Sequence, residues 1–280
     1  MTRSWIFFVA LQFVSATASA YCRTTTCGSE QSPDCAETSS CANGGAPLYW
    51  PASQVTIGVE NGTLLRAISA EAARDVLSKS MATWTSVDCG GRPPSISMAP
   101  IEMVDPGSGT PAERDATSDA ISALRFFDDA WPHDPSAIAL TTVRYGVQSG
   151  KIAAADIETN SSGHKLTVVD VGGDFDLQSV LTHESGHFFG LAHVIEPDAT
   201  MFASYTGGGN IDRRTLEAND RQGICTIYPP GRFDVLSGSG CGCRTAGTGN
   251  SLAPFGLATA AIMLSALRRR RAYKSWRRGA

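Results

Sequence analysis

HESGHFFGLAH, residues 183–193, is the stretch that decides the fold and the chemistry of this chain. Its first five residues fall on a helix that Asp176 opens as N-cap, with Leu177, Val180, Leu181, Phe188 and Phe189 as its apolar stripe. His183 and His187 are four residues apart, so they share one helix face and both imidazoles can reach one metal ion. Gly190 lacks a side chain and can take the left-handed conformation that stops the helix, which turns His193 back toward the same ion. Three neutral imidazoles leave a fourth position open, the mark of a catalytic zinc site. Glu184, beside the first histidine, is then placed to act as general base on a water. The chain holds only five histidines, and three of them lie here, which argues against an accidental cluster.

Outward from this helix, apolar residues from Ile68 to Trp84 recur at three- and four-residue steps behind Ser69, which predicts a second amphipathic helix. The stretches 54–59, 137–145, 151–158 and 165–171 read as strands parted by Gly-, Ser- and Asn-rich turns. A short helix is predicted over 117–127, where Ile121, Leu124 and Phe127 recur at three-residue steps, and another over 214–228. Strands first and helices later, without regular alternation, give an α+β domain with a mixed twisted sheet, an active-site helix and a C-terminal helix.

The flanks carry a different composition. Residues 1–20 join Arg3, an apolar run and the small residues Ala18, Ser19 and Ala20, as a secretory signal does. Export would place the eight cysteines in an oxidising compartment, where Cys22, Cys27, Cys35, Cys41, Cys89 and Cys225 suit three bridges of undetermined pairing. The net charge of −4 conceals an asymmetry: 27 acidic residues lie between Tyr21 and Cys243, whereas Arg244 and the tail beyond it are basic. An acidic body argues against nucleic acid as a partner, since phosphate binding needs a basic face. After a Gly/Ser linker come Cys241 and Cys243, an apolar segment over 251–267 near the lower limit for a membrane span, and Arg268 to Arg271. The expected organisation is therefore a signal peptide at 1–20, a Cys-rich segment at 21–46, a catalytic domain at 47–232, a linker at 233–250 and a membrane-spanning basic tail at 251–280.

HESGHFFGLAH followed by Met201 in the stretch 199–202 resembles the metzincin signature with its Met-turn, and within that clan it is most similar to the matrixins, over roughly Pro47 to Tyr228. The resemblance implies a zinc endopeptidase acting on extracellular protein or peptide substrates, with His183, His187 and His193 as metal ligands, Glu184 as the catalytic base and Tyr205 in the wall of the S1' pocket. A non-catalytic adhesion module that kept the zinc fold is the alternative, and an intact Glu184 speaks against it. Val194 and Ala203 depart from the usual matrixin residues, and no pro-segment with a cysteine switch is expected. His164 alone does not supply a second, structural zinc site, so one zinc is expected. Asp170, Asp174 and Asp176 offer oxygen ligands for calcium, or else a turn and a helix cap. The strand 151–158 resembles the edge strand over which metzincins lay substrate. The tail is similar to the MYXO-CTERM sorting signal, which implies a processing protease as partner and surface anchoring through Cys241 or Cys243.

Overall fold

The structure, a computed structural model, describes residues 21–27, 37–38, 41–42, 44–62, 68–105, 121–168, 174–205, 207–233 and 274–276. The strands at the centre of the sheet are buried along almost their whole length, polar positions included. The sheet comprises β1 (Gly58–Glu60), β2 (Met103–Val104), β3 (Ala123–Phe126), β4 (Ala139–Tyr145) and β5 (Ile152–Thr159), with β6 (Lys274–Trp276) added at one rim. Their spatial order is β6-β4-β5-β3-β1-β2. The pairs β1–β2, β1–β3 and β3–β5 are parallel, and β5–β4 and β4–β6 antiparallel, so the sheet is mixed as expected.

Two helices bring their apolar stripes into the core. Helix α1 (Ala70–Thr85) is capped by the Ser69 side chain, which accepts from the Ala72 N–H, and buries Leu77, Met81 and Trp84. Helix α2 (Leu177–Phe188) buries Leu177, Leu181 and Phe188 in the same core. Each such side chain contributes about 1.5–3 kcal/mol by leaving water. Polar contacts fix the two helices against each other: Trp84 Nε1 donates to the Thr182 carbonyl at 2.8 Å and the Ser80 hydroxyl to that of Gln178 at 3.2 Å. A third helix, α3 (Ala218–Ile227), is tied to the loop after α1 by the Cys89–Cys225 disulfide.

The Cys-rich segment packs against the end of α2. Cys22–Arg23 pairs antiparallel with Leu191–Ala192, and a Cys22–Cys41 disulfide closes the segment on itself. Cys27 is also disulfide-bonded.

The sheet also holds buried charge. Arg125 on β3 pairs with Glu60 on β1 and with Asp156 and Glu158 on β5, and all four side chains are less than a tenth exposed. Burial opposes the charge on Arg125, but Asp156, Glu60 and Glu158 outweigh it and raise the guanidinium above its ordinary pKa.

Several expectations change. Residues 123–126 are a strand and not part of a helix: all four are buried between β1 and β5, and a fully buried run carries no periodicity to separate strand from helix. The last helix starts at Ala218 and not at 214, because Glu217 and Asp220 form a capping box behind a 3₁₀ turn at Asp212–Arg214. The expected strand 54–59 is broken into Gln54–Val55 and β1, and of that over 165–171 Leu166–Thr167 is a strand while 169–171 lie outside the described residues. The strand over 151–158 is internal. Its neighbour β4 lies outside it, nearer the rim. Among the described residues no helix is long and apolar enough to cross a membrane. The segments 1–20 and 251–267, Asp170, Cys241 and Cys243 lie outside the described residues.

Candidate metal centre

Helix α2 starts where sequence chemistry places it. The Asp176 carboxylate accepts from the Ser179 N–H at 2.8 Å and also pairs with Arg214 through both oxygens, at 2.7 and 2.9 Å. At the other end the free carbonyls of the last turn are taken up: Trp50 Nε1 donates to Phe188 and the Tyr228 hydroxyl to Phe189. Gly190 then sits at φ 96°, and a β-carbon there would lie 2.6 Å from the Leu48 carbonyl oxygen, so only glycine makes this turn. The chain leaves it as Leu191–Ala192, held by Cys22–Arg23 and by the Thr24 hydroxyl, which donates to the Leu191 carbonyl at 2.9 Å.

That path brings three imidazoles together. His193 Nε2 lies 3.2 Å from His183 Nε2 and 3.1 Å from His187 Nε2. Nitrogens on a tetrahedral zinc at 2.0–2.1 Å stand about 3.3 Å apart, so these separations fit one ion. The far nitrogens of two of them face main-chain carbonyls. His183 Nδ1 is 2.6 Å from that of Thr200 and His187 Nδ1 is 2.9 Å from that of Leu191, which puts the ring proton on Nδ1 and the lone pair on Nε2. Burial, then the nearby His193, hold His183 down at about 3, so its ring stays neutral and available to a metal. Among the described residues these three form the group able to hold an ion.

The floor of the site is Met201. It is fully buried, and its sulfur would stand 2.2 Å from a β-carbon added to Gly186, with Trp84 also within 3 Å. The turn carrying it is fixed by Asp220, whose buried carboxylate accepts from the N–H groups of Thr200 at 2.8 Å and Met201 at 3.3 Å.

Glu184 points into the protein from the same helix and is 4 % exposed. The Thr141 hydroxyl on β4 donates to its Oε2 at 2.6 Å. Burial raises this carboxyl to about 7 against the opposing hydrogen bond. A cavity of about 280 Å³ opens beside it, lined by His183, Glu184, Ile138, Phe175, Val180, Tyr205 and Arg213 among others.

Comparison with known proteins agrees with this geometry. Residues 123–229 match the Matrixin family model. The chain is also 42% identical over 57 residues to the interstitial collagenase of Bos taurus, covering 20% of this chain and 12% of that protein's length. The matrixin-like segment thus contains β3 to α3, the three histidines, Glu184, Met201 and the cavity. The mixed sheet and the helices are consistent with an α+β matrixin catalytic domain.

Within the matrixin-like segment the predicted residues are distributed unevenly. His183, His187, His193, Glu184 and Met201 come together, and Tyr205 lines the cavity beside them. The calcium reading loses support: Asp176 has both carboxylate oxygens committed to the helix cap and Arg214, and Asp174 is exposed. Three residues of the site carried no sequence signal. Thr141 reads as one position of an alternating strand, Arg213 as one charge in the polar run Asp212–Arg214, and Asp220 as a first-turn anion. Each reaches the site from a different element.

Proposed function

We propose that the protein is a zinc-dependent endopeptidase with His183, His187 and His193 as metal ligands and Glu184 as general base. The observation that carries this is the convergence of three imidazole Nε2 atoms beside a buried carboxyl that a hydroxyl holds in place. When bound, zinc supplies Lewis acidity toward a water and a peptide carbonyl. The rest of the work falls to the chain. Thr200 and Leu191 orient two ligands through Nδ1, Thr141 fixes one oxygen of Glu184, and the carboxylate takes a proton from the attacking water and passes it to the leaving amine.

The substrate strand is proposed to lie along residues 139–142 of β4, the part beyond its pairing with β6 at Val143–Tyr145, which contributes both Thr141 and Ala139 to the site. Export through residues 1–20 and surface display through Cys241 or Cys243 are proposed from sequence composition alone. Zinc content and casein hydrolysis of the purified protein beside its Glu184→Gln variant test the central claim. One zinc per chain with hydrolysis only in the parent is expected; partner binding without hydrolysis, untouched by the variant, would favour an adhesion module, and absence of zinc would overturn both.

A further inference from the structure

Arg213 makes the cavity beside Glu184 unlike a plain apolar slot. The apolar side chains Ile138, Phe175 and Val180 line it together with Tyr205, and Arg213 belongs to the same lining. Its Nη1 donates to the Phe202 carbonyl at 2.8 Å and its Nη2 to that of Ser204, two neutral acceptors on the loop after Met201. The guanidinium also lies 5.2 Å from the centre of the Tyr205 ring and 5.8 Å from that of Phe202, within cation–π range. Among the described residues no carboxylate forms an ion pair with it. Arg214 next to it is neutralised by Asp176, and Asp220 spends its carboxylate on main-chain N–H groups. Among the described residues the hydrogen-bond acceptors of this positive charge are neutral carbonyls, and Asp220 acts on it only through space.

A guanidinium carries five N–H donors, and two carbonyls do not exhaust them. In a half-enclosed, largely apolar space a charge-assisted hydrogen bond to a carboxylate gains more than the same bond in water, while a substrate cation meets like charge. We propose that Arg213 makes this cavity select an acidic substrate side chain, glutamate in the first place, next to the cleaved bond. The inference rests on the peptidase reading above and adds the substrate class. Anchoring by two carbonyls and stacking on Tyr205 preorganise the guanidinium, so little side-chain entropy remains to be lost on binding.

The test uses the full-length zinc-loaded protein and quenched-fluorescent peptides that differ only in the residue on the carboxyl side of the cleaved bond: Glu, Gln, Leu or Lys. The expected kcat/KM order places Glu at least about tenfold above Leu, with Lys lowest. In Arg213→Glu the Glu-to-Lys ratio is expected to invert, and in Arg213→Lys the acid preference should survive at reduced size. Ratios within one variant cancel any general loss of activity, and zinc content shows that each variant is folded. Leu equal to or above Glu in the parent, or a Glu-to-Lys ratio unmoved by Arg213→Glu in a zinc-replete protein, overturns the proposal. Should Arg213→Glu fail to hold zinc, Arg213→Lys decides, since loss of the acid preference with the charge retained would also overturn it. Cleavage of none of the peptides, or of casein, by zinc-loaded parent protein would instead remove the peptidase reading itself.

Discussion

Thr141 and Glu184 are 43 residues apart in sequence, and the 2.6 Å contact of the Thr141 hydroxyl fixes Oε2 of the Glu184 carboxyl. Thr141→Val keeps the strand's shape and removes the donor. A fall in kcat of about ten- to a hundredfold with KM nearly unchanged is expected, with recovery in Thr141→Ser; a matching loss in both kinetic constants would point to structural damage instead. Burial also couples the site to pH in metal-stripped protein. His183 has its folded pKa lowered from 6.5 to about 3, so the stability it contributes is present above pH 6.5 and lost as pH falls toward 3. Glu184 is raised from 4.5 to about 7, so its contribution is present below pH 4.5 and lost as pH rises through 7. Urea unfolding in chelator should therefore find Glu184→Gln gaining on the parent protein between pH 4.5 and 7.5, and a constant gap across that window would contradict the burial argument. At this scale the sequence shows what its spacing encodes. His183, His187, Gly190 and His193 sit at fixed offsets on one helix and turn, whereas Thr141 and Arg213 are defined by contacts across the fold that no local pattern records.

Elements differ in how far their pattern reveals them. The amphipathic spacing of α1 and the Asp176 cap with the Gly190 stop of α2 are local signals, and both helices form within a few residues of expectation. β3 is buried on both sides and loses the alternation that would have marked it as a strand. β5 was expected to be the substrate edge. Strand order is set by how β3, β4 and β5 cross over, and the antiparallel return of β5 onto β4 puts β4 outside it. Arg125 at the centre of β3 gives a test of the sheet. Removing it leaves Glu60, Asp156 and Glu158 buried without their shared cation, so Arg125→Met is expected to cost about 3–5 kcal/mol in equilibrium unfolding. A loss below about 1 kcal/mol would show that these carboxylates are neutralised in some other way.

For the whole molecule, an even cysteine count signals bridges without revealing their pairing, because pairing is a property of the finished fold. The Cys89–Cys225 bridge closes a loop across 136 residues and joins the loop after α1 to α3, which holds the Met-turn through Asp220. Cys89→Ala with Cys225→Ala is expected to lower stability by about 2–5 kcal/mol in denaturant titration. The Cys22–Cys41 bridge acts nearer the metal ligands, since Cys22–Arg23 is the strand that holds Leu191–Ala192 and so the approach to His193. Zinc transfer to a chromogenic chelator should accelerate when this bridge is reduced; an unchanged rate would show that Gly190 and the Leu191 carbonyl suffice to hold the turn.

The same clamp sets an order of events. Thr24 and Leu191 are 167 positions apart, so a strand formed near the start of synthesis waits through most of the domain for its partner. Contacts of such span close late, after the sheet and helices between them have removed most of the intervening chain's freedom. His193 is therefore expected to be the last of the three ligands to be fixed, and pulse-labelled hydrogen exchange during refolding should find the amides of Leu191–Ala192 protected after those of α2; simultaneous protection would contradict this order. Completion of the fold is then the event that brings the three imidazoles together.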